Sequence, residues 1–208
     1  SVKSRGLGDV YKRQLESLDI TVIWQDKVTN FNPSEYKKTF TYYESKDGTM
    51  VPLTYFHRKD VELNSQTPVF LYGYGGYNIS IRPSFSRKYV GWLELGGVVA
   101  IANLRGGGEL GKKWHNAGRL KEKQNVFDDF LYASKYLEAE GVGNRKSTVI
   151  SGRSNGGLLV GTSLVQNPNY FGATLPAVGV LDMLRFTEFT EGWGWRGDYG
   201  SPLLSKED

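Results

Sequence analysis

The 208-residue sequence has no cysteine, only two histidines, and no apolar run approaching the ~18 residues that a membrane-crossing helix needs. Without cysteine there is no disulfide, no thiolate-held metal and no cysteine nucleophile, although the compartment stays open on that ground alone. A broad basic surplus is also lacking. The net charge is +4, and residues 1–14, SVKSRGLGDVYKRQ, hold Lys3, Arg5, Lys12 and Arg13 against Asp9, which accounts for three of the four charges. The rest of the chain is near neutral, so nucleic acid is not an expected partner. The same 14 residues have no apolar h-region, no small-residue cleavage site and no amphipathic period, so they do not read as a secretory signal. They read as a non-native leader, and a cytoplasmic, membrane-free location is the expectation.

What is abundant points to a globular protein. Hydrophobic residues make up 39% and charged residues 23%, with 13 Tyr, 10 Phe and 5 Trp as core material, enough for one sizeable core. The 26 glycines cluster in YGYGGY, RGGGELG and SNGGLLVG, which signals tight turns and close backbone approach.

Residues 15–32 alternate apolar and polar around DITVIWQD, as a strand of a preceding domain would. EYKKTFTYYES and MVPLTYFHRK, separated by KDG, read as an antiparallel hairpin. PVFLYGY, GGVVAIANL and KSTVISG are short, nearly continuous apolar runs, the pattern of strands buried on both faces. Helix-length segments lie between them. FSRKYVGWLEL is one; NVFDDFLYASKYLEAEG is clearer, with Val126, Phe127, Phe130, Leu131, Ser134 and Leu137 on one stripe and a glycine stop at Gly141. NGGLLVGTSLVQ reads as a further helix and FGATLPAVGV as a further strand. This alternation predicts an α/β fold, a mostly parallel sheet with an antiparallel N-terminal hairpin and flanking helices.

SGRSNGGLLVG, residues 151–161, follows a β-branched run and precedes a small-residue helix. G-x-S-x-G in that setting is a nucleophile elbow, in which the serine sits on a strained strand-to-helix turn and the flanking glycines avoid collision. A simple turn or a phosphate-binding loop uses similar glycines. If Ser154 is a nucleophile, the Asn155 backbone N–H at the helix N-terminus is the nearest oxyanion donor, and the loop YGYGGYN is the source of a second. Taken alone, Tyr74 and Tyr77 in that loop are equally packing residues.

LYGYGGYNISIRPSFS, GGVVAIANLRGGGELGKKWHNAG, KQNVFDDF, GRSNGGLLVG, NPNYFGATLPAVGVLDMLRF and GWGWRGDYGSP, in that order, resemble the catalytic domain of the prolyl oligopeptidase family, serine peptidases with an α/β-hydrolase fold. The resemblance runs from Phe31 to Pro202. It implies Ser154 as nucleophile, Asn155 N–H with the Tyr74 hydroxyl as oxyanion hole, and Tyr77, Val180, Trp195 and Tyr199 as a proline-binding pocket. Tyr77 stands where the family commonly has phenylalanine, and Arg153 replaces a glycine beside the nucleophile. The implied substrates are short proline-containing peptides, with no cofactor or metal and a monomeric full-length protein. Asp128 and Asp129 read as pairing or capping residues, Arg105 and Glu109 as a loop-holding pair, and Trp114 with His115 as a surface loop.

A serine hydroxyl needs a general base, usually histidine oriented by a carboxylate, and in α/β-hydrolases the order is Ser, acid, His. His57 and His115 both precede Ser154. Asp182 and Asp198 follow it but fall in the pocket-forming stretch. The expectation is therefore an N-terminal part of a catalytic domain, residues 33–208, with residues 15–32 as the tail of a β-propeller. The acid and base would lie beyond residue 208, leaving this chain alone inactive. The alternatives are a non-catalytic peptide-binding pseudoenzyme, or another serine hydrolase of the clan: an oligopeptidase, a dipeptidyl or acylaminoacyl peptidase, or an esterase.

Overall fold

In the computed structural model, which describes residues 10–24, 31–84 and 86–201, the main sheet starts with the hairpin that its alternating residues anticipate. Strands β3 (Tyr36–Glu44) and β4 (Met50–Arg58) pair antiparallel from Tyr36 opposite Arg58 to Glu44 opposite Met50. Between them Gly48 takes φ 83° and the Thr49 N–H is capped by Asp47 Oδ1 at 3.1 Å. Four parallel strands follow: β5 (Val69–Tyr72), β6 (Val98–Ala102), β7 (Thr148–Arg153) and β8 (Ala173–Ala177). The six lie in the order β3-β4-β6-β5-β7-β8, and β4 joins β6 antiparallel.

The sheet is covered on both faces. Helix α1 (Arg87–Glu94) sets Tyr89 and Trp92 on the Phe70 ring at 5.9 and 5.7 Å between centroids. On the other face lie α3 (Gln124–Ala139) and α4 (Asn155–Gln166), with a short α2 (Lys112–Asn116) preceding them in the chain. All five residues of β6 are buried, as the unbroken apolar run of a central strand requires. Tyr43, Leu53, Leu71, Phe130, Leu137, Ile150 and Leu159 form the centre of the core. Each such side chain contributes roughly 1.5–3 kcal/mol relative to exposure.

Helix α3 ends as its glycine signals. Gly141 takes φ 74° and the Val142 N–H returns to Leu137 O at 2.8 Å. Its buried stripe is Val126, Asp129, Phe130, Ala133, Ser134 and Leu137, while Phe127 and Leu131 are half-buried. An aspartate can occupy that stripe because Arg105 reaches it: Nη2 lies 2.6 Å from Asp129 Oδ1, and Ser45 Oγ donates to the same oxygen at 2.6 Å. The expected Arg105–Glu109 pair does not form. Glu109 Oε1 instead accepts from Ile81 N–H and Asn103 Nδ2, because the buried carboxylate of Asp129 claims the guanidinium.

Ahead of the main sheet, β1 (Val10–Arg13) pairs antiparallel with β2 (Ile20–Trp24) in a separate ribbon. A strand was expected in β2. Its partner comes from the segment set aside as a leader, so the boundary at residue 14 falls inside a hairpin. Backbone pairing needs no apolar alternation, which is why the charged segment gave no sign of it. Residues 1–9, 25–30 and 202–208, with the parts of the leader and of GSPLLSKED they contain, lie outside the described residues.

Candidate active site

Strand β7 ends at Arg153 and α4 begins at Asn155, so Ser154 alone makes the turn, at φ 58° and ψ −118°. A non-glycine residue holds such a backbone only where its surroundings over-determine it. Here the Ser154 N–H donates to Ala177 O at 2.9 Å, and Ser154 O accepts from Gly157 and Leu158 N–H at 2.8 and 3.1 Å. Each neighbouring glycine answers a separate collision. A Cβ at Gly152 would lie 2.1 Å from Gly156 O, one at Gly156 2.7 Å from Gly73 O, and one at Gly157 2.6 Å from Ala177 O. The Asn155 N–H is one of the first-turn donors that a helix leaves without an internal acceptor.

The loop after β5 folds over this elbow. The Asn155 side chain, 1% exposed, donates from Nδ2 to Tyr74 O at 2.5 Å. The Tyr74 hydroxyl interacts with the Ser154 side chain; burial pushes the phenol up, and Ser154 opposes that shift. Gly75, Tyr77 and Asn78 all take left-handed φ, between 55° and 65°. Two bonds hold the turn: Tyr77 N–H to Asp198 Oδ2 at 2.8 Å and Asn78 N–H to Gly106 O at 3.2 Å.

Helix α5 (Arg196–Tyr199) brings the last wall. Tyr199 sits edge-on to Tyr77 at 5.6 Å and to the buried Phe186 at 5.5 Å, and its hydroxyl donates to Asn155 Oδ1 at 2.9 Å. Burial raises the pKa of both Tyr77 and Tyr199. Ser154, Asn155, Tyr74, Tyr77 and Tyr199 are therefore one connected cluster. Val180 and Trp195 are half-buried on the segments that border it, Val180 after the Gly179 that packs on Gly157, and Trp195 at the N-cap of α5. Among the described residues no ring contact or hydrogen bond joins either to the cluster. Arg153 is exposed and lines a cleft of about 630 Å³ on the α1 side, with Tyr72, Arg82, Lys88 and Ser151.

Two residues of the site, His115 and Lys123, escaped the sequence reading, and Asp198, placed there only in the pocket-forming stretch, joins them. His115 lies in helix α2, where a surface loop was expected. Trp114 beside it is 8% exposed and donates to Leu104 O at 2.9 Å, so an indole with a core partner winds the segment inward. His115 Nε2 lies 3.0 Å from Asp198 Oδ1. Asp198, 4% exposed, thus bridges His115 and the Tyr77 backbone. Lys123, just ahead of α3, donates from Nζ to Gly75 O at 2.9 Å and to Asn155 Oδ1 at 3.1 Å. Burial lowers its pKa to about 8, against the opposing pull of the Asp198 charge. One signal could have flagged it: a cation at a helix N-terminus opposes the dipole, and local rules are broken where a tertiary partner compensates.

Neither histidine reaches Ser154. His57 is buried in β4 beside Tyr55, with Nδ1 2.8 Å from Arg58 O, and His115 is committed to Asp198. Asp182 pairs with Arg185 at 2.6 Å on the surface. Among the described residues no trio of His, Asp or Glu is placed to hold a metal ion, and no helix is long and apolar enough to cross a membrane.

The prolyl oligopeptidase family model matches residues 83–207. A prolyl endopeptidase of Elizabethkingia meningoseptica is 45% identical over 185 residues, covering 89% of this chain and 26% of that protein. A solved prolyl endopeptidase structure superposes with a TM-score of 0.92 at 43% identity, over 96% of this chain and 29% of that one. Prolyl oligopeptidase B from Galerina marginata, bound to a 25mer macrocyclization substrate, gives 0.89 at 38% identity over 92% of this chain and 27% of that one. The chain thus spans between a quarter and a third of the length of these relatives. Sheet order, elbow and flanking helices together are the α/β-hydrolase fold expected from the sequence.

Proposed function

Because the chain belongs to the prolyl oligopeptidase family, we propose that residues 33–208 are the N-terminal part of the catalytic domain of a serine endopeptidase that cuts short peptides after proline. The observation that carries this reading is the Ser154 elbow, with a strained φ of 58°, the Tyr74 phenol against its side chain, and the Asn155 amide holding the Tyr74 backbone in place.

In this reading Ser154 Oγ attacks the carbonyl that follows the proline ring. The tetrahedral oxyanion is met by the Asn155 N–H and the Tyr74 hydroxyl, both fixed before substrate arrives, where a preorganised donor is worth about 10²–10³ in rate. The α4 N-terminus adds its positive end. The amine leaves, an acyl-enzyme remains, and water releases the acid product. Tyr77 and Tyr199 offer ring faces to the pyrrolidine, and Val180 and Trp195 close the pocket from its rim. A pocket selective for arginine would need a carboxylate at its floor, and Asp198 is already committed to His115 and the Tyr77 N–H.

The general base and its carboxylate are supplied from outside these 208 residues, by the polypeptide of which they form a part. The 15–32 segment is then the end of a preceding β-propeller. The alternative with a specific observation behind it is a peptide-binding pseudoenzyme, because no histidine of this chain approaches Ser154.

The test compares fluorogenic peptides with proline or arginine before the leaving group, using the polypeptide translated from the uninterrupted reading frame. The expected result is post-proline hydrolysis abolished by Ser154→Ala, with no turnover by the 208-residue chain alone. Turnover by that chain, lost on Ser154→Ala, would refute the missing-base reading. Peptide binding without hydrolysis by the whole polypeptide would establish the pseudoenzyme.

A further inference from the structure

Lys123 is an unusual residue to find where it is. It occupies the N-cap of α3, the end of a helix that disfavours a cation, and its ammonium is turned into the protein. A lysine in such a place is held below its ordinary basicity, to about 8 here. A methionine would fill the same space without that electrostatic cost.

What the ammonium supplies is direction. It can donate hydrogen bonds and cannot accept them. Lying 3.1 Å from Asn155 Oδ1, it obliges the Asn155 amide to present oxygen on that side, which turns Nδ2 toward Tyr74 O at 2.5 Å. The Tyr199 hydroxyl donates to the same Oδ1 at 2.9 Å, and the Lys123 Nζ lies 5.4 Å over the Tyr199 ring. A second bond, to Gly75 O at 2.9 Å, grips the loop directly. Three segments far apart in the chain, residues 73–78, Asn155 and Tyr199, meet at this nitrogen.

Resting on the roles given above to Ser154, Asn155 and Tyr74, we propose that Lys123 is a positioning residue: through the Asn155 amide and the Gly75 carbonyl it sets the Tyr74 hydroxyl and the Asn155 N–H against Ser154.

The positioning weakens when the ammonium loses its proton, because a neutral amine gives weaker bonds to both carbonyl oxygens. The groups facing Lys123 are Asp198 and Tyr199 from α5, Asn155 from α4 and the 73–78 loop with Tyr74 and Tyr77; behind Asp198 stands His115 of α2. Asp198 favours the charged form, and burial opposes it.

Lys123→Met and Lys123→Arg test this, with two readouts. Hydrogen exchange, which needs no turnover, should show the Tyr77 and Asn78 amides exchanging roughly tenfold faster in Lys123→Met at pH 7, with the β3–β4 hairpin unchanged. In the active polypeptide, Lys123→Met should lower kcat for a post-proline substrate roughly 10- to 100-fold, the effect of losing charged hydrogen bonds, with KM nearly unchanged. A fall in kcat above pH ~8 should disappear in that variant and shift to much higher pH in Lys123→Arg. Unchanged exchange at Tyr77 and Asn78, exchange raised equally across the sheet, or a limb near pH 8 that persists in Lys123→Met would each overturn the proposal. If the wild-type polypeptide cleaves nothing after proline, the peptidase reading fails and hydrogen exchange alone decides whether Lys123 holds the loop.

Discussion

Replacing Asp129 by asparagine should cost the fold about 3–5 kcal/mol, the range for removing one partner of a buried ion pair. The carboxylate is 0% exposed and faces only donors: Arg105 N at 3.1 Å, Nε at 3.0 Å, Nη2 at 2.6 Å and Ser45 Oγ at 2.6 Å. An asparagine of the same shape must turn an NH₂ toward one of them and leaves Arg105, 4% exposed, without a buried counterion. Asp47 remains on the guanidinium at 2.5 Å, but its side chain is 47% exposed and screened by water, so it offsets little. Against a total stability of about 5–15 kcal/mol the loss is severe. It should also loosen the loop of residues 73–78, because the turn after Arg105 carries the Gly106 carbonyl that holds Asn78 N–H. Urea unfolding followed by circular dichroism measures the cost. A second variant, Arg105→Met with Asp129→Leu, removes both charges and should recover most of the stability. A loss under about 1 kcal/mol for Asp129→Asn, or a double variant as unstable as the single one, refutes the reasoning.

Other expectations follow from the same geometry. Gly157→Ala should destabilise by about 1–3 kcal/mol in urea unfolding, since its Cβ would meet Ala177 O and the Gly179 Cα at 2.6 Å and push α4 from the loop after β8. If the longer polypeptide cleaves after proline as proposed, Asp198→Asn in it should raise KM several-fold more than it lowers kcat, because it weakens the hold on the Tyr77 N–H and on His115 while leaving Ser154 untouched. The contribution of Lys123 to stability should also rise with pH from about 8 to about 10.5. Lys123 is neutral in the folded protein above about 8, while the unfolded chain keeps the proton to about 10.4, so the unfolded state binds more protons across that window. That contribution is at most about 3 kcal/mol, and it is read as the difference between wild type and Lys123→Met in unfolding measured at pH 7, 9 and 10, in which the opposing titration of the buried tyrosines cancels.

The features legible in the sequence are those written in neighbouring residues. The period of two in EYKKTFTYYES, the unbroken apolar run of GGVVAIANL and the stripe from Val126 to Leu137 each declare an element, because burial on one face or two leaves a periodic trace. The elbow is equally local: Gly152, Ser154, Gly156 and Gly157 span six residues, and the collisions that demand glycine occur within them or with strands already recognisable. Asp129 does pair, as its sequence context suggests, but it pairs from inside the buried stripe while Leu131 is half-buried, since helical spacing does not reveal that a guanidinium waits in the core.

The amino-acid sequence by itself determined the α/β class, the strand and helix order, the strained serine and the aromatic composition of residues 186–199, because each rests on contacts within a turn or two. Only the tertiary structure decided which charges meet. Arg105 finds Asp129 across 24 residues, Lys123 finds Asn155 across 32 and His115 finds Asp198 across 83. Such partners are chosen by how the layers stack, and a charged side chain carries no periodic mark of the partner it will meet. That choice turned His115 and Lys123 inward onto Asp198 and Asn155 and left both histidines away from the serine.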